Sequence, residues 1–125
     1  MYTLSHTFFV DAAHHLLGLP AGHKCSRIHG HRWAISVGIA SDTLDSKGMV
    51  MDLHILHDLC HQIQSTIDHD DINKVWLINP TCENIAEYIY NWMKKFDCFD
   101  PEHSPIRVVY VEVEETPGNS ASYTE

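Results

Sequence analysis

The sequence predicts an α+β fold, a four-stranded antiparallel sheet with two helices packed on one face. Two observations carry this. Apolar residues alternate with period two over residues 2–14 and about 28–40, and again over 106–115. They recur with helical spacing over 52–67 and again after Asn79-Pro80-Thr81. The order is therefore strand, strand, helix, helix, strand, strand, the last strand being short. Such a sheet has two free edges and one uncovered face, so copies of the chain are expected to pair there as a homo-oligomer.

The 125 residues suit one domain, 1–125, with a core of ordinary size. A composition 44% hydrophobic and 20% charged is that of a globular chain. A net charge of −9 argues against nucleic acid or an anionic membrane as partner. No apolar run reaches about 18 residues, and no basic region precedes an apolar stretch at the start, so a cytoplasmic location is expected. Cysteines at 25, 60, 82 and 98 form no C-x-x-C pair and are expected as thiols. Lys24, Arg27 and Arg32 make a small basic patch, either a solvated cluster or a contact for a small anionic substrate.

Residues 2–14 read as the first strand. Leu4, Phe8, Val10 and Ala12 share one parity and His14 continues it, while His15 falls with Thr3, Ser5 and Thr7. Without a bulge His14 is on the apolar face; one bulge exchanges the two histidines. Gly18, Pro20 and Gly22 mark residues 17–24 as a loop. The second strand carries His29, His31, Trp33, Ile35, Val37 and Ile39 on one face and Gly30, Arg32, Ala34, Ser36 and Gly38 on the other. A polar turn over residues 41–47 ends at Gly48. Leu53, Leu56, Leu59 or Cys60, Ile63 and Ile67 form the apolar stripe of the first helix, with His54, His57 and His61 on or beside its polar face. His57 and His61 have the i,i+4 spacing of a metal clamp; lacking the carboxylate of H-E-x-x-H, they are read as exposed. Asp68-His69-Asp70-Asp71 follows, either a solvated turn or a carboxylate–imidazole pair for proton transfer.

Thr81 is the expected N-cap of the second helix, and Glu83 favours its positive end. Ile85, Ile89, Trp92, Met93 and Phe96 give that helix its stripe. A loop with two prolines over 97–105 leads to the third strand. There Ile106, Val108 and Tyr110 are expected on one side, and Val109, Val111 and Val113 on the other. Glu115 ends the Val113 row, either at the solvent edge or placed to grip something. Pro117-Gly118-Asn119 is a turn, and residues 120–123 form the last short strand.

The chemistry concentrates in Cys25-Ser26-Arg27-Ile28-His29-Gly30-His31. His29 and His31 project from one strand face and converge, which suits a divalent zinc-like ion. His14, or His15 if the strand bulges, is the candidate third ligand. The alternative is a pair of core histidines bonded to backbone.

These residues resemble the pterin synthases of the T-fold, 6-pyruvoyl- and 6-carboxy-tetrahydropterin synthase. The resemblance spans Phe8 to Ala12-Ala13-His14, Gly22-His23-Lys24-Cys25, His29-Gly30-His31, Asp68-His69, Asn79-Pro80-Thr81-Cys82-Glu83 and Glu114-Glu115-Thr116. It implies Zn²⁺ held by His14, His29 and His31. It implies Cys25 as the catalytic thiol, with Asp68 and His69 as its partner pair. Glu115 is implied as the anchor of a pterin ring, and Thr81, Cys82 and Glu83 as lining of the pterin pocket. It also implies hexamers built from trimers, with sites between subunits. The short Cys-x-x-x-His-Gly-His spacing is similar to the carboxy enzyme of the 7-deazaguanine (queuosine) route. The expected reaction is then 7,8-dihydroneopterin triphosphate to 6-carboxy-tetrahydropterin, acetaldehyde and triphosphate, with Lys24, Arg27 and Arg32 as candidate triphosphate contacts. The pyruvoyl synthase, which keeps the carbon skeleton, is the second reading. A structural zinc module closed by Cys25 as fourth ligand is the third.

Overall fold

The computed structural model describes residues 1–125. Its strands are β1 (Tyr2–His14), β2 (His29–Ser41), β3 (Arg107–Thr116) and β4 (Asn119–Tyr123); its helices are α1 (Leu53–Ile67), α2 (Ile72–Val75) and α3 (Cys82–Met93). The strands form one antiparallel sheet in the order β1-β2-β3-β4, with the helices packed on one face.

β1 and β2 pair without interruption from Tyr2↔Ser41 to His14↔His29. An unbroken period of two keeps Phe8, Val10, Ala12 and His14 on the buried face, opposite Ile35, Trp33 and the two histidines of β2. The choice between His14 and His15 is settled by that missing bulge.

β3 departs from the expected alternation. Gly38 pairs with Tyr110 but Ile39 pairs with Val108, so Val109 is the extra residue of a bulge. The bulge turns Val108 onto the same buried face as Val111 and Val113, where simple parity placed it opposite them. Tyr110 then lies over Gly38 on the uncovered face. A Cβ on Gly38 would stand 2.0 Å from the Tyr110 ring. Gly38→Val is expected to destabilise the protein by about 1–3 kcal/mol through overpacking. Thermal denaturation would read this as a lower Tm, with most of the loss recovered in Gly38→Val/Tyr110→Ala.

Asp52 caps α1, its carboxylate accepting from the His54 amide at 2.9 Å. α1 buries Leu56, Cys60, Ile63 and Ile67, while Leu53, placed in the stripe by spacing, is exposed in the first turn. Thr81 caps α3 by accepting from the Asn84 amide, and α3 buries Ile85, Ala86, Ile89, Tyr90 and Met93. Trp92 and Phe96 pack at the margin of that core. The one-turn α2 was not expected. It seats Trp76 in the core, stacked 4.5 Å from the Tyr88 ring.

The segment between α1 and α2 closes part of the free edge of β1. The His69 amide donates to the Asp11 carbonyl at 2.7 Å and the Ala13 amide to the Asp70 carbonyl at 2.9 Å. The Asp11 amide donates to the Asp68 carboxylate at 3.0 Å. His69 adopts a positive φ of 59°, uncommon outside glycine, to make this turn. No helix is long and apolar enough to cross a membrane.

Candidate metal centre

His14, His29, His31 and Glu115 each offer one ligand atom, and those atoms all lie within 4.8 Å of one another. Two strand periods build the group. His14 ends β1 directly opposite His29 at the start of β2, and His31 follows on the same face. Glu115 arrives from β3 on the face of Val111 and Val113.

The hydrogen bonds fix which nitrogens face inward. His14 Nδ1–H donates to the Pro80 carbonyl at 2.9 Å, and His29 Nδ1–H to the Arg27 carbonyl at 2.7 Å. A carbonyl only accepts, so both Nε2 atoms carry lone pairs. Those two atoms are 3.0 Å apart. Glu115 Oε1 is 3.2 Å from His14 Nε2 and 3.1 Å from His31 Nε2. His31 Nε2 is buried and lacks a partner with hydrogen-bond geometry. Electron-pair donors gathered this closely out of water repel unless a cation lies between them. Nitrogens bound tetrahedrally at ~2.0–2.1 Å from one ion stand about 3.3 Å apart. The donor set therefore fits a divalent metal, with Pro80 and Arg27 carbonyls orienting two ligands from behind. Burial holds the pKa values of His14 and His31 below the ordinary imidazole value.

The metal group opens into a recess of about 620 Å³ lined by Lys24, Cys25, Arg27, Ile28, His29, His31 and Glu115. Cys25 is half-buried and held by its backbone. Its carbonyl accepts from the Leu16 amide at 2.8 Å, and its amide donates to His23 Nδ1 at 3.1 Å. Cys25 is not in the group of close donors; the carboxylate of Glu115, not the thiol of the structural-module reading, stands beside the three histidines. Thr81 and Cys82 stand at the start of α3, beside the Pro80 that orients His14. Burial, then the Glu115 and Glu83 carboxylates, push the Cys82 thiol up to about 11. Glu83 is exposed in the first turn of α3.

Other expected site residues line a second recess. His69 and Arg32 border it, about 640 Å³ in volume, with Asp11, Asp70, Asp71 and Lys74, and His31 borders both recesses. Asp68 Oδ1 is 3.2 Å from His69 Nδ1. The Asp11 amide is the main cause that holds the Asp68 carboxyl below its usual range. Arg32 stacks over Phe9 at 5.0 Å, so it does not join Lys24 and Arg27 as expected from sequence proximity. His15 is turned away, its backbone bracketed by the Asn73 amide group. Sequence reasoning missed Glu115 as a fourth potential ligand; its parity with Val113 was the available signal.

An antiparallel sheet that presents three histidines and a carboxylate able to hold a metal, beside an open thiol-lined recess, defines an α+β protein of the pterin-synthase type. The chain belongs to the 6-pyruvoyl tetrahydropterin synthase family, whose model matches residues 3–125. It is 30% identical to a Bacillus subtilis 6-carboxy-5,6,7,8-tetrahydropterin synthase, over 98% of this chain and 84% of that protein. It is 35% identical to the Synechocystis protein of the same name, over 72% and 73% of the two. The Caenorhabditis elegans 6-pyruvoyl tetrahydropterin synthase superposes with a TM-score of 0.85 at 26% identity, covering 99% of this chain and 95% of that one. The fold is thus the T-fold of the expected family.

Proposed function

We propose that this chain is a zinc-dependent lyase converting 7,8-dihydroneopterin triphosphate to 6-carboxy-5,6,7,8-tetrahydropterin, with release of acetaldehyde and triphosphate, in 7-deazaguanine (queuosine) biosynthesis. The observation that carries the reading is the inward-facing donor group of His14, His29, His31 and Glu115, the last three of which line the same recess as Cys25. The carboxy product is favoured by the relatives of that name and by the Cys25-x-x-x-His29-Gly30-His31 spacing.

His14, His29 and His31 would hold the ion, which would supply Lewis acidity toward the substrate's side-chain hydroxyls. Cys25 removes the proton from the side-chain carbon next to the ring. Glu115, in the lining of the recess, accepts hydrogen bonds from the pterin N–H and amino groups, and the start of α3 with Thr81, Cys82 and Glu83 is assigned to the pterin pocket. Lys24 and Arg27 meet the triphosphate at the mouth. Asp68 orients His69 for proton transfer. His69 lines a recess that Cys25 does not share. A cytoplasmic homo-oligomer, a hexamer built from trimers, supplies the pair to Cys25 from a second subunit.

The test is incubation of the zinc-loaded protein with 7,8-dihydroneopterin triphosphate, with acetaldehyde and the pterin product assayed together. Acetaldehyde with the 6-carboxy product is the expected result. A 6-pyruvoyl product without acetaldehyde would establish the second reading, which the family match and the nematode structure favour. No turnover with metal bound would overturn both.

A further inference from the structure

We propose a second metal site, formed by His6 of β1 with His57 and His61 of α1, for a zinc-like late first-row divalent cation. His6 has the parity of Leu4, Phe8 and Val10, so it faces the helices and interrupts an otherwise apolar row. It is half-buried, and its ring lies edge-on to His57 with centres 5.2 Å apart and planes at 72°. Two imidazoles sharing a tetrahedral ion at ~2.0–2.1 Å hold their ring centres about 5 Å apart. The three histidine pairs of the metal centre stand at 4.6, 5.1 and 4.9 Å, with planes at 64°, 75° and 89°. The His6–His57 pair thus matches the candidate ligand pairs in ring spacing and crossing angle.

His61 is one helical turn beyond His57, its ring parallel to it at 6.2 Å. Closing on the same ion requires that ring to turn inward and release its present Gln64 partner, and its exposure leaves it free to do so. The outer nitrogens already have oxygen partners. His61 Nδ1–H donates to Gln64 Oε1 at 3.1 Å, and Gln64 Nε2 donates in turn to the Phe9 carbonyl of β1 at 2.9 Å. His57 Nδ1 faces the Asp58 carboxylate at 3.5 Å. This leaves the Nε2 lone pair of His57 for a metal, the tautomer that outer oxygen partners select at known sites. Bound there, an ion ties β1 to α1 independently of the ion at His14.

Protein whose first site is saturated would be dialysed to equilibrium against rising free Zn²⁺, with zinc counted per chain and histidine ring protons followed by NMR. A second zinc per chain is expected, with the rings of His6, His57 and His61 shifting together and Tm rising. The exposed-site variants His57→Gln and His61→Gln should each weaken the second zinc by at least ~10-fold while the first stays bound. His54→Gln should change neither. Saturation at one zinc per chain overturns the proposal. So does a second zinc that survives both variants or shifts other histidines.

Discussion

Cys25→Ala is expected to lower kcat/KM for 7,8-dihydroneopterin triphosphate by ~10²–10⁴-fold, the usual worth of a positioned acid or base. The metal at His14, His29 and His31 should be retained. The two outcomes separate because the thiol lines the recess without belonging to the ligand group. The backbone of residue 25 is held by Leu16 and His23, contacts that Ala also makes, so the loop keeps its place. The other thiols are poor nucleophiles. Burial raises the Cys60 thiol to about 12 and the Cys98 thiol by a smaller amount, and Cys82 stands at about 11. Alkylation of the metal-loaded protein should therefore mark Cys25 first and abolish turnover in step with that labelling. Loss of metal in Cys25→Ala would instead make the thiol a ligand and the centre structural. Full activity in Cys25→Ala would move the proton-abstracting role elsewhere.

How much of this centre could be read from the chain depended on whether its parts share a strand. The parity of β1 put His14 on the apolar face, and β2 put His29 and His31 beside Trp33; both hold because those strands pair without a bulge. The same alternation, followed one residue further, turns Arg32 away from the histidines and toward Phe9, although its nearness to Lys24 and Arg27 suggested otherwise. β3 was less legible. Valines at 108, 109, 111 and 113 suit either face, and only pairing against Gly38 and Ile39 fixes Val109 as the bulge. Glu115 is farther still: its parity with Val113 gives its face, but its reach to His14 and His31 is a tertiary fact. The four residues of α2 are too few for a period, and their place is set by Asp71 as cap and Trp76 as anchor.

His14→Ala is expected to have the largest combined effect, lowering stability and removing the metal together. The side chain is 1% exposed and joins three parts of the fold. Its Nδ1–H ties the end of β1 to the Pro80 carbonyl before α3, its Nε2 faces His29 and Glu115, and its ring lies edge-on to Trp33 at 4.7 Å. Truncation leaves a cavity and an unpaired buried carbonyl, together costing about 2–5 kcal/mol. A ligand that binds only the folded state adds stability as well, about 2.7 kcal/mol at a free concentration 100-fold above Kd. Chelation should therefore lower the Tm of the wild-type protein, and zinc at the first site should restore it. In His14→Ala the starting Tm should be lower, and the part of the chelator effect that belongs to this site should be gone. Any remaining response to zinc in that variant should disappear on adding His57→Gln. His29→Ala provides the comparison. It gives up the same ion but only the Arg27 carbonyl behind it, at a half-buried position, so it should lose the metal with a smaller fall in metal-free stability. Equal losses in the two metal-free variants would mean that the Pro80 tie contributes little, and that the ion alone holds the end of β1 against α3.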